Sequence, residues 1–418
     1  MALFVACVTA LLAGCSVQGG GDELAFLRGG ALWVARADGS HARELVAGNV
    51  VGYAWAPNHQ ELIARYAPSG AQAPPAGSTR GAPAARGNLV AVSINGGYPL
   101  QITSADSALE RGDAWWNAAS NRVVYSEQFA NTPGIPIYVV SQIDQPAGIA
   151  RKTLLDAASV PVLSPDGARV AVIDPESNLR LGAPSATGTV IASGVALRLP
   201  ETNRPSHLLW QPQHDALLYP VASDGAGADL TLRDLHGSTH VLVNHMAHLL
   251  DGAFSPDGAL LIVHTTESLA VFDSSGAQQF SWDESDPLAL VWWSPDSKRL
   301  LVQDTNGLTL VDVTRKVVTP LLIYRSPLPA QSVDPSDSWH PATGSPWSPD
   351  GSRIVFACES GASWRGKALP APKGSGVGLY VAAVTDAGGD TPALIDSHAD
   401  SAPSWSSPDP SSAFLMSA

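Results

Sequence analysis

Four aspartates, Asp166, Asp257, Asp296 and Asp350, recur along the chain in nearly one setting. Repeated carboxylates are a starting point for acid–base or metal chemistry. Each follows Ser-Pro, and three of the four precede glycine. Proline fixes φ at a first corner, aspartate bonds its own local backbone, and glycine takes φ > 0. The turn role therefore accounts for all four. His245, His248 and Asp251 have a spacing that could ligate a metal only on a helical turn, and their stretch reads as a loop between strands. The loop Asp334–His340 (DPSDSWH) could hold a cation or a partner residue, but it lacks a third carboxylate of suitable geometry for Ca²⁺. His214, His264 and His340 fall near strand ends without recurring in register. The chain has no Gly-x-Ser-x-Gly elbow, no His-Glu-x-x-His, no phosphate-binding glycine loop and no cysteine metal pair. No catalytic residue, metal or cofactor is assigned.

Whatever positions these residues is made of short strands. Of 418 residues, 38 are Gly and 33 Pro, too many for a strongly helical protein. At 45% hydrophobic and 15% charged the chain is not disordered. The net charge of −14 excludes the positive field that nucleic acid requires.

One unit repeats along the sequence. Its best copies are Leu163-Ser-Pro-Asp-Gly167, Phe254-Ser-Pro-Asp-Gly258, Trp293-Ser-Pro-Asp296 and Trp347-Ser-Pro-Asp-Gly351. Degenerate copies begin at Trp55, Trp115, Trp210 and Trp405. The anchors Pro57, Asn117, Pro165, Pro212, Pro256, Pro295, Pro349 and Pro408 are about 50 residues apart, the size of a four-stranded propeller blade. Each turn is followed by an aliphatic run, a polar hairpin and weaker outer strands, which makes one antiparallel blade. The blade aromatics Trp55, Trp115, Trp210, Phe254, Trp293, Trp347 and Trp405 hold one place in every unit, so they are expected to pack between neighbouring blades. Trp116 and Trp292 alternate with that column and are expected to face an accessible surface.

Aromatic-Ser-Pro-Asp-Gly followed by two aliphatic strands resembles the TolB-type propeller repeat over essentially the whole mature chain. The resemblance implies an all-β, exported protein that binds proteins or is appended to an enzyme. Glu23–Val46 reads as late strands without a start, and Ser401–Met416 supplies a start without its strands. Joined, they complete one blade and close a single β-propeller of eight four-stranded antiparallel blades, with seven as the alternative.

The first residues give an address. Ala2–Gly14 is apolar or small and too short to span a bilayer. Leu12-Ala13-Gly14-Cys15 resembles the lipobox of bacterial lipoproteins, which implies cleavage before Cys15 and its acylation. No Lys or Arg precedes the apolar run, a departure from that family. The expected organisation is a signal peptide over 1–14, a lipidated cysteine and tether over 15–22, and a propeller over 23–418. Cys358 is left as a single packing cysteine.

Two inserts interrupt the repeat: a low-complexity loop, Ala67–Gly87, and a solvated hairpin loop, Glu359–Val377. The candidate binding surface comprises Trp116, Trp292, Trp339, His340, Trp364 and Arg365. The expected function is a monomeric, lipid-anchored extracytoplasmic binding module for an envelope protein, peptide or glycan, touching the membrane only through its anchor. A channel-based polysaccharide lyase or hydrolase and a structural subunit of an envelope assembly are the alternatives.

Overall fold

The computed structural model describes residues 23–66, 89–103, 109–116, 122–129, 137–142, 153–155, 161–184, 188–199, 202, 206–223, 227–286, 289–325, 345–373, 377–384, 391–399 and 403–405. The lipobox, the tether and the 67–87 insert lie outside them, as do Trp339 and His340.

The described residues form eight antiparallel sheets. Seven follow one another in chain order, with first strands Val50–Trp55 (sheet 1), Leu109–Trp116 (sheet 2), Val162–Leu163 (sheet 3), Leu209–Trp210 (sheet 4), Leu249–Phe254 (sheet 5) and Leu290–Trp293 (sheet 6). Sheet 7 pairs Arg353–Glu359, Val377–Ala383 and Ala393–Asp396, with Trp347 bridged to Ile354 in the first-strand place. Sheet 8 joins the two ends of the chain: Ser404–Trp405 pairs with Glu23–Arg28, then come Ala31–Arg36 and Arg43–Val46. The expected terminal closure is thus present.

The repeated turns explain why the first two strands of a unit fold together. In all four Ser-Pro-Asp units the serine hydroxyl donates to the aspartate Oδ1, at 2.5 Å in Ser164–Asp166, Ser294–Asp296 and Ser348–Asp350 and 2.6 Å in Ser255–Asp257. The same serine Oγ accepts the amide five residues on, at 2.9 Å in each copy. Asp166 is held below the usual carboxylate range first by the Ser164 hydroxyl and then by the Ala168 amide. The last turn position has φ of 69° at Gly167, 71° at Gly258 and 67° at Gly351. Ser297 takes the same left-handed place with φ 59°. At Gly258 a side chain would also collide with the Pro212 carbonyl of sheet 4, so this glycine serves both the turn and the approach of two sheets.

Side chains alternate between two junctions. Leu261 and Val263 join the apolar cluster shared with sheet 4, whereas Ile262 between them joins the one shared with sheet 6. Such clusters link sheets 8 and 1, 1 and 2, 3 and 4, 4 and 5, 5 and 6, 6 and 7, and 7 and 8. A sheet buried on both faces reads as a continuous apolar run, as Val170–Ile173 does.

Register fixes the aromatic column. Trp55, Leu163, Trp210, Phe254, Trp293 and Trp347 each pair with the residue seven positions later: Leu62, Val170, Leu217, Leu261, Leu300 and Ile354. In sheet 2 the residue in that register is Trp116, opposite Val123, and not Trp115. Trp116 thus keeps the common register, and the column residue of this unit falls one place later than the sequence alignment put it. Trp55, Trp116, Trp210, Phe254, Trp293, Trp347 and Trp405 all pack toward the preceding sheet.

Candidate functional site

The expected aromatic surface is mostly interior. Trp116 and Trp292 are 4% and 8% exposed. Trp116 is itself a column residue, and Trp292 faces the junction with sheet 7 opposite to Trp293. Alternation did turn Trp292 away from the column, but the other face of a sheet in a ring belongs to the next sheet rather than to water.

Trp364 is buried as well, at 2%. The 359–377 insert is not simply a solvated loop. Ser363–Trp364 pairs with the outer strand of sheet 6, Val317–Ile323, through Leu322↔Trp364 and Ile323↔Ser363, and Lys367–Ala368 adds a sixth strand. Trp364 stacks on Phe356 with centroids 5.3 Å apart and planes 2° apart, and Phe356 stacks in turn on Tyr380 at 5.5 Å. Tyr380 donates to the Pro370 carbonyl at 2.7 Å, holding the far side of the insert. Cys358 packs in the same cluster, and burial together with the Glu359 charge pushes its thiol up to about 12, so it is inert packing. Arg365 is half-buried at the tip of this arm with φ 46°.

His207, Asp251 and His264 meet at the end of the sheets opposite the Ser-Pro-Asp turns. His207 Nδ1, just before the first strand of sheet 4, lies 3.0 Å from Asp251 Oδ2 in sheet 5. Asp251 Oδ1 accepts the Gly252 amide at 2.8 Å. His264, 1% exposed, stands directly opposite Asp251 in the ladder. Thr202 donates to the Leu249 carbonyl at 2.9 Å, a second link across this junction. The carboxylate fixes the His207 tautomer with the proton on Nδ1, the orienting half of a general-base arrangement. Nε2 of His207 is itself buried, so the pair is placed to join two sheets rather than to meet a solvent-borne substrate.

Asp251 therefore belongs with His207 and not with its sequence neighbours. His245 ends the strand Thr239–Met246 and is exposed, its amide bonded to Asp229 Oδ1 at 2.8 Å, and His248 is exposed in the next turn. Among the described residues no group of three His, Cys, Asp or Glu is arranged to hold a metal. His214 is exposed at the turn end of sheet 4, the opposite end from His264. The position of His264, three residues beyond the column partner, is also polar in sheet 1 (Arg65) and sheet 6 (Gln303, which donates to Tyr324 at 3.0 Å). Each stands eight residues after its unit's proline, Pro57, Pro256 or Pro295, so the recurrence could be read from the sequence.

Antiparallel sheets following one another, sharing apolar junctions and locked by a sheet made from both termini define a β-propeller. No protein-family model matches the chain, and no curated protein matches it. Similar solved structures include a eukaryotic initiation factor, 10% identical with a TM-score of 0.51, covering 93% of this chain and 99% of that one. The C-terminal WD40 domain of Sif2 is 13% identical with a TM-score of 0.46 over 71% of this chain and 79% of that one. A functionally unknown protein from Desulfotomaculum acetoxidans is 13% identical with a TM-score of 0.45, covering 71% and 93%. At these identities the likeness bears on the fold alone.

Proposed function

We propose that this β-propeller is a TolB-type, lipid-anchored extracytoplasmic binding module for a protein, peptide or glycan of the cell envelope, working as a monomer. The observation that carries the reading is the use of both sheet faces in the ring. With those faces spent on stacking, the accessible parts are loops, outer edges and the rim, the parts a rigid scaffold offers to a partner. The Leu12-Ala13-Gly14-Cys15 pattern supports the address, and the charge of −14 disfavours nucleic acid. Affinity capture from detergent-solubilised envelopes tests the reading. A partner retained by the intact ring but not by a mutant unfolded at Trp293 is expected, and recovery of nothing above the bare resin overturns it.

The second reading, a channel-based enzyme acting on a polysaccharide, draws on the His207–Asp251 pair with His264 beside it. The buried Nε2 of His207 weighs against it. Polysaccharide cleavage that is lost in Asp251→Asn, with the fold kept, would establish the enzyme instead.

A further inference from the structure

The outer edge of sheet 6 carries a positive strip on an acidic protein. Lys316 precedes the strand Val317–Ile323, Arg325 follows it, and Arg365 and Lys367 sit at the tip of the arm paired with it. Lys316, Arg325 and Lys367 are exposed, and none of the four cations makes an ion pair among the described residues.

Arg365 is the most constrained of them. Its φ of 46° is left-handed for a residue with a side chain, its amide donates to the Leu321 carbonyl at 2.7 Å, and its buried Nε has no acceptor. The left-handed backbone and the bonded amide fix where this side chain leaves the arm. The Arg325 stem lies against Gly361, where a side chain would displace it, so this guanidinium too is carried on the arm.

We propose that this strip docks an acidic peptide segment, its carboxylates read by Arg365, Arg325, Lys367 and Lys316. It rests on the binding-module reading and names one partner chemistry for it. Lys316 and Arg325 flank the strand Val317–Ile323, about 20 Å of extended chain, so a segment of about seven residues spans them. Strand addition is not the mode, because Pro320 has no N–H to offer and Lys367 blunts the new edge. The planar guanidinium fork matches a carboxylate bidentately, which a diffuse surface charge does not. Phosphatidylserine vesicles supply the competing anionic surface in the test.

The probe is a short fluorescein-labelled peptide alternating Glu and Ser, with the Gln/Ser peptide as its uncharged control, followed by anisotropy on the full folded chain. Binding of the acidic peptide alone is expected, weakened about tenfold or more in Lys367→Glu and in Arg325→Glu and several-fold in Arg365→Lys. Circular dichroism and thermal melting verify that each variant is folded. Arg36→Glu, on the distant sheet 8, should leave binding unchanged. An equal loss in Arg36→Glu, or no binding of the acidic peptide, overturns the proposal. So does binding to phosphatidylserine vesicles, lost in the arm variants, without binding to the peptide. Capture of an envelope partner that is indifferent to Lys367→Glu and Arg325→Glu would leave the binding module standing while removing this site.

Discussion

The indole Nε1 of Trp293 donates to the main-chain carbonyl of Ala253, 3.3 Å away in the neighbouring sheet. Trp210 donates in the same way to Val162, and Trp347 to Trp292, each at 3.3 Å. Every acceptor is the residue just before the column residue of the preceding sheet, so at three junctions the column adds a hydrogen bond to its apolar contacts. Leu163 and Phe254 have no N–H, and the buried indole N–H groups of Trp55, Trp116 and Trp405 meet no acceptor among the described residues, so those links rest on packing.

Trp293→Ala should therefore cost about 3–5 kcal/mol, the range for removing a large core side chain. Trp293→Phe keeps most of the contact and gives up the indole bond, worth about 1 kcal/mol when made, so it should cost distinctly less. Urea unfolding of the two variants measures both. A loss below about 1 kcal/mol in the alanine variant would mean the ring does not lean on this residue.

Closure of the ring has its own latch. The Tyr53 hydroxyl, buried in sheet 1, donates to the Ala25 carbonyl at 2.8 Å and accepts from the Ser404 hydroxyl at 3.3 Å, touching strands from both ends of the chain. Burial pushes its phenol well above the ordinary tyrosine range, so it remains a donor at every working pH. On the other side of the closing sheet Arg353 of sheet 7 caps its junction, the guanidinium 4.9 Å from the Trp405 ring centroid. Tyr53→Phe should destabilise by about 1–2 kcal/mol, the cost of leaving a buried carbonyl unmet. It should also speed proteolysis of the terminal segments more than of the central sheets. Uniform digestion across the chain would show that Tyr53 does not govern closure.

Acid should act through the turns. Asp350 is partly desolvated, which raises its pKa, but hydrogen bonds from the Ser348 hydroxyl, the Ser352 amide and the Ser352 hydroxyl, with the Arg353 charge, override this and bring it to about 2. A carboxyl depressed on folding adds stability above its unfolded value of about 3.9, and that stability is lost as pH falls toward about 2. The urea midpoint should drop between pH 4 and about 2, and Asp350→Asn should flatten that slope while lowering the plateau at neutral pH. An unchanged slope would place the acid sensitivity elsewhere.

The ring was legible because its determinants are local and repeated. A turn written Ser-Pro-Asp-Gly, an aliphatic strand and an aromatic at fixed spacing give sheet, hairpin and junction without knowledge of distant contacts. Trp116, Trp292 and Trp364 were misplaced for different reasons: Trp116 is the column residue itself, Trp364 lies on an insert that pairs with sheet 6, and Trp292 was placed by alternation. Alternation along a strand tells which of two faces a residue takes, but not whether that face meets water or another sheet. The His207–Asp251 pair joins residues 44 apart, and the Trp364 arm returns across a junction to pair with Leu322. Neither leaves a periodic trace, because each depends on where two sheets meet.

The address can be tested apart from the ring, because the first described strand begins at Glu23, eight residues after Cys15. Acyl chains on Cys15 would hold the mature protein to a membrane, since stable anchoring takes more than one chain and needs no transmembrane helix. With residues 1–14 exchanged for a cleavable export leader and Cys15→Ser, the protein should leave the membrane fraction entirely. Its thermal melting should match that of the anchored form, because the described sheets begin at Glu23. Mass spectrometry of the unaltered protein should find a diacylglyceryl adduct on an N-terminal peptide starting at Cys15. A variant that stays with the membrane, or an N-terminus without the adduct, would sink the lipobox assignment and leave the propeller untouched.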